Sequence, residues 1–403
     1  MNLPTASNNA EARAKDAVAA LLHDSAPRLE DLSHRIHGTP ELAFQEHSAA
    51  AWVAEEAERA GLRVQSGVAG LPTALRATAG SGDLTIGICA EYDALPGIGH
   101  ACGHNVIAAA AVGAAAALAA VADDLGITVV LLGTPAEENG GGKIIMLERG
   151  AFDGLQAAMM IHPAAHEAAQ MRPLAVSHFD AFYHGKSSHA SMHPEEGINA
   201  SDAMVVAQVA ISLARQQLRQ GEQVHGIVTK GGDAGNIIPA ETSGTFFARA
   251  ETLEQLQAFL PRIHACFEAG ATATGAALEI AERSSPYSEL RADAALTDAY
   301  AANASALGRH PLARGQEQPG GSTDMGNVSL AIPSIHPMVS IDSLPAVNHQ
   351  PEFAAAAASP AADKALVEGA IAMAWTAVDA ALKPELRKRL TQSAYAAKGP
   401  PQG

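Results

Sequence analysis

Between Glu91 and His104 the chain carries two carboxylates (Glu91, Asp93), two imidazoles (His100, His104) and a thiol (Cys102), directly after an apolar run at 84–90. Carboxylate, imidazole and thiolate together make a donor set for a borderline-soft divalent ion such as zinc. A structural zinc finger would add a further cysteine pair, and only Cys266 remains downstream. The cluster therefore reads as half of a site whose other donors come from farther along.

Those donors are present. Glu137 and Glu138 follow a second apolar run at 128–132, His162 closes a third at 157–161, and His349 stands in an Asn-His-Gln-Pro-Glu-Phe segment near the C-terminus. Three of these four clusters lie just past a predicted strand. In open α/β sheets that edge is where loops from several strands converge and ligands bind.

The elements that must position them alternate. Helical periodicity covers 10–35, and a second helix is expected from Pro40 to about residue 60. The runs 84–90, 128–132 and 157–161 are short and largely apolar, as strands covered on both faces are. Helical stretches separate them, which gives an α/β pattern. From about Arg172 the pattern changes to strand 175–185, helix 197–220, strands 225–229 and 242–250, helix 253–271 and strand 277–283. That β-α-β-β-α-β order is that of a ferredoxin-like α+β module. Helix–strand alternation then resumes at 296–306, 334–340 and 361–382. The expected organisation is 1–173 and 287–403 as the two parts of one α/β domain with a central mixed sheet, and 174–286 as an inserted domain. The tail beyond Thr391 carries no site signal.

Composition narrows the function. The 403 residues allow two domains with a sizeable core. Apolar residues make up 48% but aromatics only 4%, so Ala, Val, Leu and Ile must fill the interior. A net charge of -17 argues against nucleic-acid binding, which needs clustered Lys and Arg. Three cysteines (Cys89, Cys102, Cys266) are too few for a disulfide framework, so a reducing, cytoplasmic location is expected. The first thirteen residues lack the basic and apolar regions of a secretory signal. The stretch 106–122 has the length of a membrane span, but it is mostly alanine and follows the His/Cys cluster directly. It reads as a helix buried against a sheet, and no membrane association is expected.

The strings AEYDALPGIGHACGHN, TPAEENGGGK, SSHASMHPEEGINASDA, GNIIPAET, GSTDMGNVS and NHQPEF, in this order, resemble the M20 metallopeptidase/amidohydrolase family over nearly the whole chain. The branch they most resemble holds p-aminobenzoyl-glutamate hydrolase subunits and aminoacylase-1-like-2 dipeptidases. The resemblance implies a dinuclear metal site in the larger domain and an inserted domain that mediates homodimerisation. It implies Cys102 as the bridging ligand, His104 and His162 on one ion, and Glu138 and His349 on the other. Zinc is the expected ion, with manganese the alternative that the mixed nitrogen and oxygen donors admit. Glu137 would be the general base toward the attacking water, the pairing the chemistry asks for: one carboxylate anchors a metal while its neighbour accepts a proton. Asp93 takes the place of an aspartate that orients a metal-bound imidazole. Glu91 stands where other M20 branches have a metal-binding histidine. In the inserted domain, His189 matches a histidine that stabilises the oxyanion in the neighbouring subunit's site, and Asn236 and Arg249 match substrate-binding positions. Glu195 departs from the tryptophan that close relatives often carry.

The expected activity is hydrolysis of an amide bond in a dipeptide, an N-acyl amino acid or an aryl-amide conjugate. The alternative is a non-catalytic or partner-dependent subunit of a hetero-oligomeric hydrolase of the same type. The presence of Glu137 beside all five presumed ligands argues for the enzyme.

Overall fold

The computed structural model describes residues 6–316 and 320–392. It divides into two units: Met1–Arg172, Leu290–Pro319 and Asp324–Gly403 form the larger, and Pro173–Glu289 with Gly320–Thr323 the smaller. The tail named above lies, from residue 393 on, outside the described residues.

The larger unit is built on a six-stranded mixed sheet in the order Arg63–Ser66, Leu75–Gly80, Ile127–Gly133, Leu84–Ala90, Ala157–Met159 and Ser334–Ile335. The first two pairings are antiparallel and the last three parallel. The parallel strands are predominantly apolar because both faces are covered. Ile86, Ile88, Val129, Leu131 and Met159 enter a core shared with the long helices, whereas Cys89, Val130, Leu132 and Met160 enter a second core with Met146 and Met325. This two-residue alternation is what a strand between two layers requires.

Helix His104–Ala119 is buried along nearly its whole length and packs against helices Ala6–Gly38 and Pro360–Leu382. Its alanines let these axes approach closely. At Gly113 even a methyl group would come within 2.6 Å of Leu29 Cδ1. The stretch with membrane-span length is thus a core helix. Pro360–Leu382 is long and apolar enough to span a membrane by length and composition, and it too is mostly buried within the fold.

Two expected helices start late. The second begins at His47 rather than Pro40, because Phe44 adopts a left-handed backbone (φ 61°) that a helix cannot pass through. The Glu41 carboxylate instead accepts from the backbone N–H groups of Ser48 and Ala49, both at 3.0 Å. The helix expected at 197–220 is a regular helix only over Ala200–Ala214, where the Asn199 side chain caps Ser201 N at 2.9 Å. The segment 334–340 is likewise not one strand. Ser334–Ile335 extends the main sheet, and Met338–Ser340 pairs in parallel with His162–Ala164 as a separate ribbon.

The smaller unit is a four-stranded antiparallel sheet in the order Ala277–Glu282, Ala175–His184, Glu241–Ala250 and Gln223–Lys230. Helices Ala200–Ala214 and Leu253–Thr274 pack on one face around Phe179, Phe246 and Phe267. With strands numbered along the chain this order is 4-1-3-2, the ferredoxin-like arrangement.

Candidate metal centre

Three neighbouring parallel strands deliver the site. Leu84–Ala90 ends at Glu91 and leads to Asp93, Ile127–Gly133 leads to Glu137 and Glu138, and Ala157–Met159 leads to His162. Thr134 N bonds Ala90 O at 2.8 Å, which keeps the first two loops side by side as they leave the sheet. His104 opens its helix behind Gly103, whose φ of 79° suits glycine. A Cβ at Gly103 would also lie 2.9 Å from the Pro163 ring, so glycine lets the His104 and His162 loops meet. His349 arrives from a distant loop. Its backbone N–H donates to Ala101 O at 2.9 Å, and its own φ is 70°.

Donor atoms converge in two triads. Those of Cys102, His104 and His162 lie within 4.8 Å of one another, and so do those of Cys102, Glu138 and His349. The Cys102 sulfur is common to both. A third set, Glu91, His104 and Glu137, meets the same limit. His349 Nε2 is 3.7 Å from Glu138 Oε2, and its side chain is 59% exposed while that of Glu138 is buried. The five residues expected as ligands are therefore brought together.

The imidazoles are oriented for this. His104 Nδ1 bonds the Asp93 carbonyl at 2.8 Å and its carboxylate at 2.9 Å, so Nδ1 carries the proton and Nε2 faces the cluster. His162 Nδ1 donates to Pro163 O at 2.8 Å, which leaves its Nε2 lone pair for a ligand. Asn348 Nδ2 also donates to Pro163 O, at 3.1 Å, and stands 4.0 Å from the Cys102 sulfur.

Electrostatically the cluster calls for cations. Glu91, Asp93, Glu137, Glu138 and Asp324 are all buried at their side chains, and Lys143 is the one buried ammonium among them. Burial, then the nearby Glu91, Glu138 and Asp324, hold the Glu137 carboxyl well above the ordinary carboxylate range. Glu138 is also raised by burial, and burial pushes the Cys102 thiol up. Burial would lower His104, yet Asp93 raises it well above the usual imidazole value. Glu91 Oε2, His104 Nε2 and Glu138 Oε1 are buried without a hydrogen-bond partner, whereas such atoms are nearly always paired. Unpartnered N and O atoms beside the Cys102 sulfur, around an excess of negative charge, fit divalent metal ions. A bound ion would also ionise the thiol that burial keeps protonated.

In the smaller unit, His189 is exposed on a loop stitched to the next: Ala190 N bonds Asn236 O at 3.0 Å, and Ile238 N bonds Ser188 O at 2.9 Å. His189 Nδ1 accepts from Met192 N at 3.2 Å and Ser191 N at 3.3 Å, so Nε2–H is the outward donor. The Asn236 side chain is exposed, and Arg249 Nη1 donates to Gly321 O at 3.2 Å. Glu195 lies in an exposed turn, 3.8 Å from His193.

Sequence reasoning missed Lys143 and Asp324 as members of the cluster and left Glu91 without a role there. The first two lie inside the strings TPAEENGGGK and GSTDMGNVS, of which only the paired glutamates drew notice. His336 is a further member of the cluster that the sequence did not single out. His336 is buried and stacks on His162 with ring centroids 5.4 Å apart.

Comparison with known proteins identifies the family. The sequence profile of peptidase family M20/M25/M40 matches residues 87–371. The chain is 40% identical over 389 residues to the Xaa-Arg dipeptidase of Mus musculus, covering 92% of this chain and 90% of the relative. It is 30% identical over 273 residues to one of the p-aminobenzoyl-glutamate hydrolase subunits of Escherichia coli, covering 62% of this chain and 57% of the relative. Its fold is similar to that of a dinuclear metal-binding peptidase of the M20 family from Bacillus subtilis, with a TM-score of 0.67 at 23% identity over 88% of this chain and 98% of that one. The chain therefore belongs to peptidase family M20/M25/M40 and is a hydrolase of peptide or amide bonds.

Proposed function

We propose that this chain is a two-metal dipeptidase, with dipeptides ending in arginine as its leading substrate class. The observation that carries the reading is the pair of donor triads sharing the Cys102 sulfur, with Glu137 beside them. Identity to an Xaa-Arg dipeptidase along nearly the whole chain supports the substrate class.

In this reading His104 and His162 would hold one ion and Glu138 and His349 the other, with Cys102, common to both triads, serving both. Zinc is favoured by the thiolate, with manganese the alternative. Bound divalent ions would polarise the scissile carbonyl and acidify the attacking water. Glu137 would take the proton from the attacking water and pass it to the leaving amine. His189 offers Nε2–H to the developing oxyanion, and Asn236 and Arg249 bind the substrate carboxylate or carbonyl. The chain acts as a homodimer through the smaller unit. There the edge strand Gln223–Lys230 exposes Ile227 and Val228, and helix Ala200–Ala214 exposes Val205, Val209 and Leu213.

The test is turnover by the purified chain alone. Xaa-Arg dipeptides, N-acyl amino acids and p-aminobenzoyl-glutamate are offered after loading with zinc, manganese or cobalt. Preferential cleavage of Xaa-Arg dipeptides, abolished by a chelator and by Cys102→Ala with loss of bound metal, is the expected result. No turnover of any of these without a second protein would favour the partner-dependent subunit instead.

A further inference from the structure

The two carboxylate oxygens of Glu91 are in different situations. The side chain is fully buried, and Oε1 accepts a hydrogen bond from Lys143 Nζ. Oε2 accepts no hydrogen bond; its polar neighbour is His104 Nε2 at 3.4 Å, an ion-pair partner when that ring is charged, and His104 Nε2 makes no hydrogen bond either. Lys143 is itself fully buried and doubly held by Asp324: Nζ donates to Oδ1 at 2.7 Å, and the backbone N–H donates to Oδ2 at 2.9 Å. With both its backbone and its ammonium fixed, Lys143 engages one particular oxygen of Glu91 and leaves the other facing His104.

A purely structural role accounts for this poorly. Two carboxylates around one ammonium leave an excess negative charge in the interior, and an uncompensated buried charge is strongly unfavourable. A structural ion pair would also satisfy both oxygens of its buried carboxylate. Instead the unused oxygen falls among donor atoms of Glu91, His104 and Glu137 that lie within 4.8 Å of one another.

We propose that Glu91 is an additional donor to the cation held by His104, and that Lys143, tethered to Asp324, is the positioning residue that turns Oε2 toward it. The inference rests on the two-ion reading above and makes the two ions unequal. On the His104 side the protein would supply Glu91 in addition to Cys102, His104 and His162, one donor more than that triad alone. On the other side it supplies Cys102, Glu138 and the exposed His349, which leaves a position open for water or substrate. The ion on the His104 side is then the tightly held one, and the other exchanges.

The experiment counts ions rather than turnover. Wild type, Glu91→Gln, Glu91→Asp and Lys143→Gln are loaded with Co(II) and titrated with a chelator, while metal content and the visible Co(II) absorption are followed. Wild type should lose its two ions in two separate steps. In Glu91→Gln the tighter ion should weaken by about 10–100-fold, the range for disturbed metal sites, so that the steps merge and the Co(II) spectrum changes. Lys143→Gln should shift the same step in the same direction. Glu91→Asp keeps the charge and shortens the reach, so it should weaken that step if Glu91→Gln proves too unstable to purify. Two wild-type-like steps with an unchanged spectrum in the glutamate variants would overturn the inference while leaving the two-ion reading intact. A wild-type chain that binds no second ion would overturn the reading itself, and the inference with it.

Discussion

Asp93 holds His104 through two acceptors at once, its backbone carbonyl at 2.8 Å and its carboxylate Oδ1 at 2.9 Å from Nδ1, while Oδ2 accepts the backbone N–H of Glu138 at 3.0 Å. One carboxylate thus sets the tautomer of an imidazole in one donor triad and the position of a glutamate in the other. Asp93→Ala should therefore loosen both. Metal affinity or activity should fall by about 10–100-fold, the usual cost of removing such a supporting group. Chelator titration of the variant checks this, and affinities equal to wild type for both ions would show that Asp93 is dispensable.

Glu137→Gln separates proton transfer from metal binding. The amide keeps the size of the side chain but cannot accept the proton, so both ions should remain. General acid–base catalysis contributes about 10²–10⁴-fold, and a group that serves both water activation and leaving-group protonation belongs at the upper end. Metal content and kcat of the same preparation decide the matter. A kcat above about a tenth of wild type with both ions bound would reject Glu137 as the base.

How much of this could be read from the sequence follows from the range of the interactions. The strand Leu84–Ala90 was legible to the residue because its apolar run depends only on being covered from both sides. The donor types were legible, since thiol, imidazole and carboxylate packed so closely after a strand point to a metal site, and the five residues expected as ligands do converge. The partnership of Lys143 with Glu91 and Asp324 was not, because it joins residues 52 and 181 positions apart through burial that no local pattern announces. The late start of the second helix was hidden for a local reason: Phe44 takes a conformation that its residue type disfavours. His349 combines the two cases. Its imidazole was recognisable, but its place beside Cys102 depends on a left-handed backbone and a single bond to Ala101 O.

The smaller unit should lose stability in mild acid through His178. Its ring packs against Phe247 at 4.5 Å and Tyr287 at 5.5 Å, and its Nε2 is buried without a partner. Burial, then Arg249, Arg283 and His225, lower its pKa from 6.5 to about 4. Above pH 6.5 the ring is neutral in both folded and unfolded chains and adds no pH dependence. Between 6.5 and about 4 the unfolded chain takes up a proton that the folded chain refuses, so stability falls as the pH drops. The full effect is bounded at about 3 kcal/mol. His178→Phe keeps the ring stacking and removes the titration. Its melting temperature should decline less than that of wild type between pH 7 and 4, and parallel declines would rule out His178 as the source.

His189 is fixed as a donor by its own loop. Because Nδ1 accepts from Met192 N and Ser191 N, the neutral ring carries its proton on Nε2. A hydrogen bond to an oxyanion is stronger in the transition state than to the ground-state carbonyl, so its loss affects kcat more than KM. His189→Ala should lower kcat by about 10²–10³, the usual cost of one oxyanion donor, with a smaller change in KM. Which subunit the imidazole serves is measured by mixing two inactive chains, His189→Ala and Glu137→Gln, under conditions that exchange subunits. If the donor serves the partner copy, each mixed dimer regains one working site, built from His189 of the Glu137→Gln chain and Glu137 of the His189→Ala chain. Mixed dimers that form yet stay inactive would exclude action in trans, because every site would then take both groups from a single chain and each chain lacks one.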